Sequence, residues 1–94
     1  MSERPLPGHD LVARGLEDLA RGAETTESLL VSIGAPRLRR LGFDIPQALP
    51  SPEHRLYELL RTEYGDAAHG RYNALLRRLV SFERALGVTD VARA

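Results

Sequence analysis

The sequence predicts an all-α protein: a small compact bundle of four main helices plus one short helix, with an extended Pro-rich connector between its halves. Three observations carry that prediction. Tyr72, Leu75, Leu79, Phe82 and Leu86 recur at alternating spacings of three and four residues, the seam of a helix that meets another helix. Capping residues, prolines and glycines punctuate the rest of the chain at helix-length intervals. No strand-like alternation of useful length, internal repeat or low-complexity tract is present.

Each element follows in order. Asp10 suits the N-cap of a helix over Leu11 to Arg21, with Gly22 just past its end. Val12, Leu16 and Leu19 share one face of that helix; Arg14, Glu17, Asp18 and Arg21 take the other. Glu17 and Arg21 stand four apart in the favourable order for an ion pair. Thr25 or Thr26 caps a second helix from Glu27 to about Ile33, with Leu29, Leu30 and Ile33 inward and Val31 pointing elsewhere. Gly34 stops or bends it. Pro36 then opens a short helix through Leu38 and Leu41, closed by Gly42. Pro46 and Pro50 force an extended connector from Phe43 to Pro50, pinned to the core by Phe43 and Ile45.

Ser51-Pro52-Glu53 reads as a cap, a first-position proline and a first-turn acid. The helix it starts turns Leu56, Leu59 and Leu60 inward and ends near Tyr64. Gly65 terminates it, and Asp66 caps the last helix, from about Ala67 to Leu86 with Gly87 as its stop. Leu76 and Val80 widen that helix's apolar stripe, wide enough to touch two neighbours.

The 94 residues make one domain, 1–94, with a flexible segment at 1–9 and a frayed end at 88–94. A content of 43% hydrophobic and 28% charged residues is ordinary for a folded globular protein. Without cysteine there are no disulfides and no thiolate metal ligands. No apolar run is long enough to span a bilayer and the first residues lack a signal-peptide core, so the expected location is cytoplasmic, off the membrane. Formal net charge is zero, and all thirteen basic residues are arginine. Acids gather at Asp10, Glu17, Asp18, Glu24 and Glu27; arginines gather at Arg37 to Arg40 and Arg71 to Arg84. This polarity favours docking between or within copies over a general affinity for polyanions.

Three function classes follow. The first is a non-catalytic helical interaction module that self-associates as a homodimer, and takes another protein as partner. In it Arg71, Arg77, Arg78 and Arg84 on the last helix meet Glu17 and Asp18 across the interface. The second is a small nucleic-acid-binding regulator, with Arg37, Arg39 and Arg40 on phosphates and Gly34-Ala35-Pro36 as the corner of a helix-turn-helix. A duller role competes for those arginines, since cations near a helix C-terminus stabilise it. The third is a metal-dependent helical enzyme built on Glu63, Glu83 and His69, acids and a histidine at the stripe's edge. Its rival is a pair of core-edge glutamates, each meeting an arginine of a neighbouring helix. His9, His54 and His69 have no nucleophile or acid at a catalytic spacing, and no Gly-rich loop follows a strand. No cofactor and no catalytic residue is therefore expected.

Overall fold

Local sequence signals start and stop most of the helices, and one deeply buried helix organises the rest. The computed structural model describes residues 6–93, with side chains for residues 6–87. All the regular structure is helical, with no strand among the described residues.

Helix α1 (His9–Ala20) is capped by Gly8, not by Asp10. Gly8 has φ +77°, and a Cβ there would stand 2.7 Å from the Arg78 carbonyl oxygen, so only glycine fits. Asp10 lies in the first turn instead, where its charge faces the positive end of the helix. Of the segment 1–9 expected to be flexible, residues 1–5 lie outside the described residues. Leu6 packs on the core and accepts a hydrogen bond from the His9 N–H at 3.0 Å. The buried residues of α1 are Val12, Gly15 and Asp18. Asp18 thus belongs to the inner face, a correction to the polar face expected of it.

Helix α2 (Thr26–Arg40) begins with a capping box. The Thr25 hydroxyl accepts from the Ser28 N–H at 3.1 Å, and the Thr25 N–H donates to the Ser28 hydroxyl at 2.7 Å. It then runs unbroken through Gly34 and Pro36. The separate short helix expected at 36–41 is the last turns of this one element. Pro36, itself exposed, forfeits its bond to the Ser32 carbonyl, and burial of Ala35 and Leu38 beside it outweighs that loss. Leu29, Leu30, Val31, Ala35 and Leu38 are all buried, so Val31 points inward too. Helices α1, α3 and α4 each pack against α2, making it the centre of the fold.

Gly42, at φ +107°, turns the chain into the connector. Ile45 is buried, and the Phe43 ring tilts against Phe82 with centroids 5.8 Å apart, as expected of this pair. The connector is tied at three points: the Phe43 N–H to the Leu38 carbonyl at 3.0 Å, Arg39 Nε to the Ile45 carbonyl at 2.8 Å, and the Leu49 N–H to Ser32 Oγ at 3.0 Å. It is a strap laid over α2.

Helix α3 (Pro52–Tyr64) buries Leu56 and Leu60, with Leu59 half-buried. Ser51 precedes it in a left-handed conformation, φ +45°, and makes no side-chain cap. The expected serine cap is therefore absent: a capping side chain goes with extended backbone at the cap residue, and Ser51 is left-handed. Arg55 grips Glu24 with two of its three guanidinium nitrogens, Nε donating to Oε2 at 2.9 Å, and so ties α3 to the segment just before α2. Gly65 ends α3, and a 3-10 turn (Gly65–Ala67) leads into α4 (Ala68–Arg93). Asp66 sits inside that turn and caps nothing. Gly87 does not stop α4; the helix continues past it. The side chains of 88–94, expected to fray, lie outside the described residues.

Helix α4 is 26 residues long, about 39 Å at 1.5 Å per residue, nearly the full 43 Å length of the molecule. Its seam faces inward as the spacing predicts. Leu79 and Phe82 are buried; Tyr72, Leu75, Leu76 and Leu86 pack half-buried against the core. The Tyr57 ring meets Tyr72 edge-on at 5.5 Å. None of the described helices is long and apolar enough to cross a membrane.

Candidate interaction surface

A helix as long as the molecule cannot be covered all round by shorter neighbours. The side of α4 turned away from α2 and α3 carries Asn73, Leu76, Arg77, Val80, Ser81 and Arg84, around a shallow depression of about 440 Å³. Val80 is 42% exposed, one of two large apolar residues in the open among the described residues; Tyr64 is the other. Leu76, half-buried, stands one turn before Val80, so its open edge and Val80 form a short apolar ridge beside Arg77 and Arg84. Neither arginine has an acid partner among the described residues.

The four arginines singled out on α4 divide into two pairs. Arg77 and Arg84 flank the open ridge. Arg71 and Arg78 flank the opposite side, where α4 meets α2 and α3. Arg71 lies over the Tyr64 ring, its guanidinium carbon 4.0 Å from the centroid. Arg78 reaches Asp10 at 3.4 Å.

The two acids expected to face them also separate. Glu17 points to solvent. Its expected partner Arg21 turns to Asp18 instead, which leaves the Glu17 carboxylate without an ion pair among the described residues. Asp18, only 1% exposed, accepts from the Thr25 hydroxyl at 2.7 Å and from the Arg21 guanidinium. The Thr25 hydrogen bond and then the Arg21 charge hold its pKa below the ordinary value, against the opposing effect of burial. Asp18 is occupied inside the protomer, joining the end of α1 to the cap of α2.

Arg37, Arg39 and Arg40 are all exposed, and two of them are engaged within the chain. Arg39 is hydrogen-bonded to the connector, and Arg37 Nε stands 4.0 Å from the Glu83 carboxylate. The helix-turn-helix corner expected at Gly34-Ala35-Pro36 is continuous helix.

The metal reading meets a geometric obstacle. His69 and Glu83 are 14 residues apart on one helix, about 21 Å along its axis. Glu63 is exposed on α3. No three histidine or acidic side chains gather into a ligand set among the described residues. Glu83 is instead a core-edge acid, 7% exposed, seated over Gly34 and facing Arg37. Burial pushes its pKa up, and Arg37 offsets this in part. No buried side-chain nitrogen or oxygen lacks a hydrogen-bond partner among the described residues.

Sequence reasoning marked Arg71, Arg77, Arg78 and Arg84 of α4 but missed Tyr64 and Gly70, which complete the groove beside Arg71. Neither residue belongs to an apolar period. Their meeting depends on the path of the Gly65–Ala67 turn, on which a helical wheel is silent. Compared with protein-family models, curated proteins and solved structures, the chain matches none.

Proposed function

We propose that this chain is a non-catalytic helical interaction module, and that its partner is a second copy docked on the open side of α4. The observation that carries the reading is exposed Val80, with half-buried Leu76 one turn before it and Arg77 and Arg84 beside it, neither arginine ion-paired among the described residues. Glu17 on α1 supplies the complementary charge on the same protomer. A reciprocal contact, α4 of each copy on α1 of the other, joins opposite charges and closes with twofold symmetry. Packing α4 on α4 instead would bring arginines together, which costs free energy.

Light scattering and sedimentation at high micromolar concentration test the proposal. The expected species has twice the monomer mass, and Val80→Glu returns it to monomer with an unchanged helical spectrum. Arg84→Glu weakens the dimer, and adding Glu17→Arg restores it. A strictly monomeric parent protein overturns the reading.

A further inference from the structure

On the side of α4 away from the Leu76–Val80 ridge, a groove of about 540 Å³ opens between the start of α2, the end of α3 and the first half of α4. Its volume lies within the range of small-molecule sites. Gly70 and Ala74 form a low floor; an added Cβ on Gly70 would meet no atom within 4 Å. Leu60 and Leu75 supply apolar walls, and Tyr64 a flat aromatic one. Thr26 and Glu27 form the rim opposite α4.

The charged groups differ in how far they are engaged. Arg78 is shared with Asp10. Arg71 has no acid partner among the described residues, and its guanidinium carbon sits 4.0 Å from the centre of the Tyr64 ring, an attractive contact that holds it beside that face. The N–H edges of a guanidinium match the two oxygens of a carboxylate. The arginine is thus placed in advance, next to an aromatic face and two leucines. With Glu27 on the far rim, the lining carries a single net positive charge. That suits one anionic group and disfavours a polyanion.

The geometry points to a binding site for a small organic monocarboxylate with a flat apolar body. The carboxylate pairs with Arg71, and the body lies over Gly70 and Ala74 against Leu60, Leu75 and Tyr64. The site uses a different side of α4 from the one proposed for self-association, so either reading can fail without the other.

Naphthalene-2-carboxylate is the probe, with naphthalene-2-methanol as its neutral counterpart, each titrated into the intact chain and followed by amide chemical shifts. The carboxylate is expected to give saturable shifts at Thr26, Tyr64, Arg71 and Leu75, and the alcohol to bind about tenfold more weakly or worse, having lost a charge-assisted contact. Arg71→Gln is expected to bring the carboxylate down to the level of the alcohol. Gly70→Leu fills the floor from a position with free space, so it is expected to keep the helical spectrum and abolish both titrations. Absence of saturable shifts in the groove, equal affinity for acid and alcohol, or parental binding by Gly70→Leu each overturns the assignment.

Discussion

Gly15 and Gly70 both lie inside helices, yet their surroundings give substitution opposite signs. A Cβ on Gly15 would overlap the Glu27 carbonyl oxygen and a methyl of Val31, where α1 crosses α2. A backbone carbonyl cannot move aside cheaply. Gly15→Ala is therefore expected to destabilise by about 1–3 kcal/mol, despite the better helix propensity of alanine. Gly70→Ala meets open space and is expected to stabilise by up to about 1 kcal/mol. Urea denaturation of the two variants measures the contrast; equal effects would mean that α1 does not approach α2 this closely. The two buried acids likewise carry opposite pH signatures. The pKa of Asp18 is lowered, so its contribution is present above the unfolded value and is lost as pH falls through the folded one. Glu83 runs the other way. Its pKa is raised by burial, so the unfolded chain releases this proton first as pH rises, and stability falls across that interval. Glu83→Gln keeps the shape without the buried charge. Its thermal midpoint is expected to exceed that of the parent at neutral pH and to converge with it near about pH 4, where Glu83 is protonated. A constant offset across that range would show that titration of Glu83 is not the cause.

Among the elements, α2 departs furthest from its local signals. A glycine and a proline two residues apart predict a break, and the chain continues as helix because every neighbour packs against it. Gly34 is there for room: a Cβ would stand 2.9 Å from Glu83 Oε2 and 3.1 Å from the Leu79 methyls. Ser32 performs the other service. Its hydroxyl donates to the Ser28 carbonyl at 2.9 Å and accepts from the Leu49 N–H at 3.0 Å, joining helix to strap. Ser32→Ala leaves that N–H without its acceptor and is expected to cost about 1–3 kcal/mol. Hydrogen exchange should report it locally, with faster exchange at Leu49 than at the α2 core. Uniform acceleration would show that the strap and the helix open together. The helix ends were easier to read. Thr25 caps α2, and Gly22, Gly42 and Gly65 follow helices at positive φ, each a local event that needs no tertiary partner.

For the molecule as a whole, the segregation of charge matters more than its sum. Internal pairs use Asp10, Asp18, Glu24 and Glu83, while Glu17 on one side and Arg77 and Arg84 on another are left to solvent. If these groups join copies through exposed ion pairs around an apolar centre, added salt should weaken the dimer without abolishing it. Raising ionic strength from about 0.1 M to about 1 M shortens the Debye length from roughly 10 Å to 3 Å. Sedimentation across that range is expected to show a smaller association constant at high salt. A dimer that tightens with salt would leave only the apolar ridge in the interface and exclude the arginine–glutamate contacts.

The sequence by itself determined that this protein is helical, where most of its helices begin and end, and that Leu79 and Phe82 of α4 face inward. Those features rest on interactions within a few residues: caps, prolines, positive-φ glycines and the 3.6-residue period. Only the tertiary structure decided that α2 is one helix at the centre, and that the inner face of α1 turns by roughly 60° to bring in Gly15 and Asp18. It also decided that the arginines of α4 serve two different sides. The physical reason is one of magnitude. A local signal is worth about 1 kcal/mol, whereas burying a large side chain is worth about 1.5–3 kcal/mol, so where the two conflict packing prevails. A glycine's room and an aspartate's partner exist only once distant segments have met.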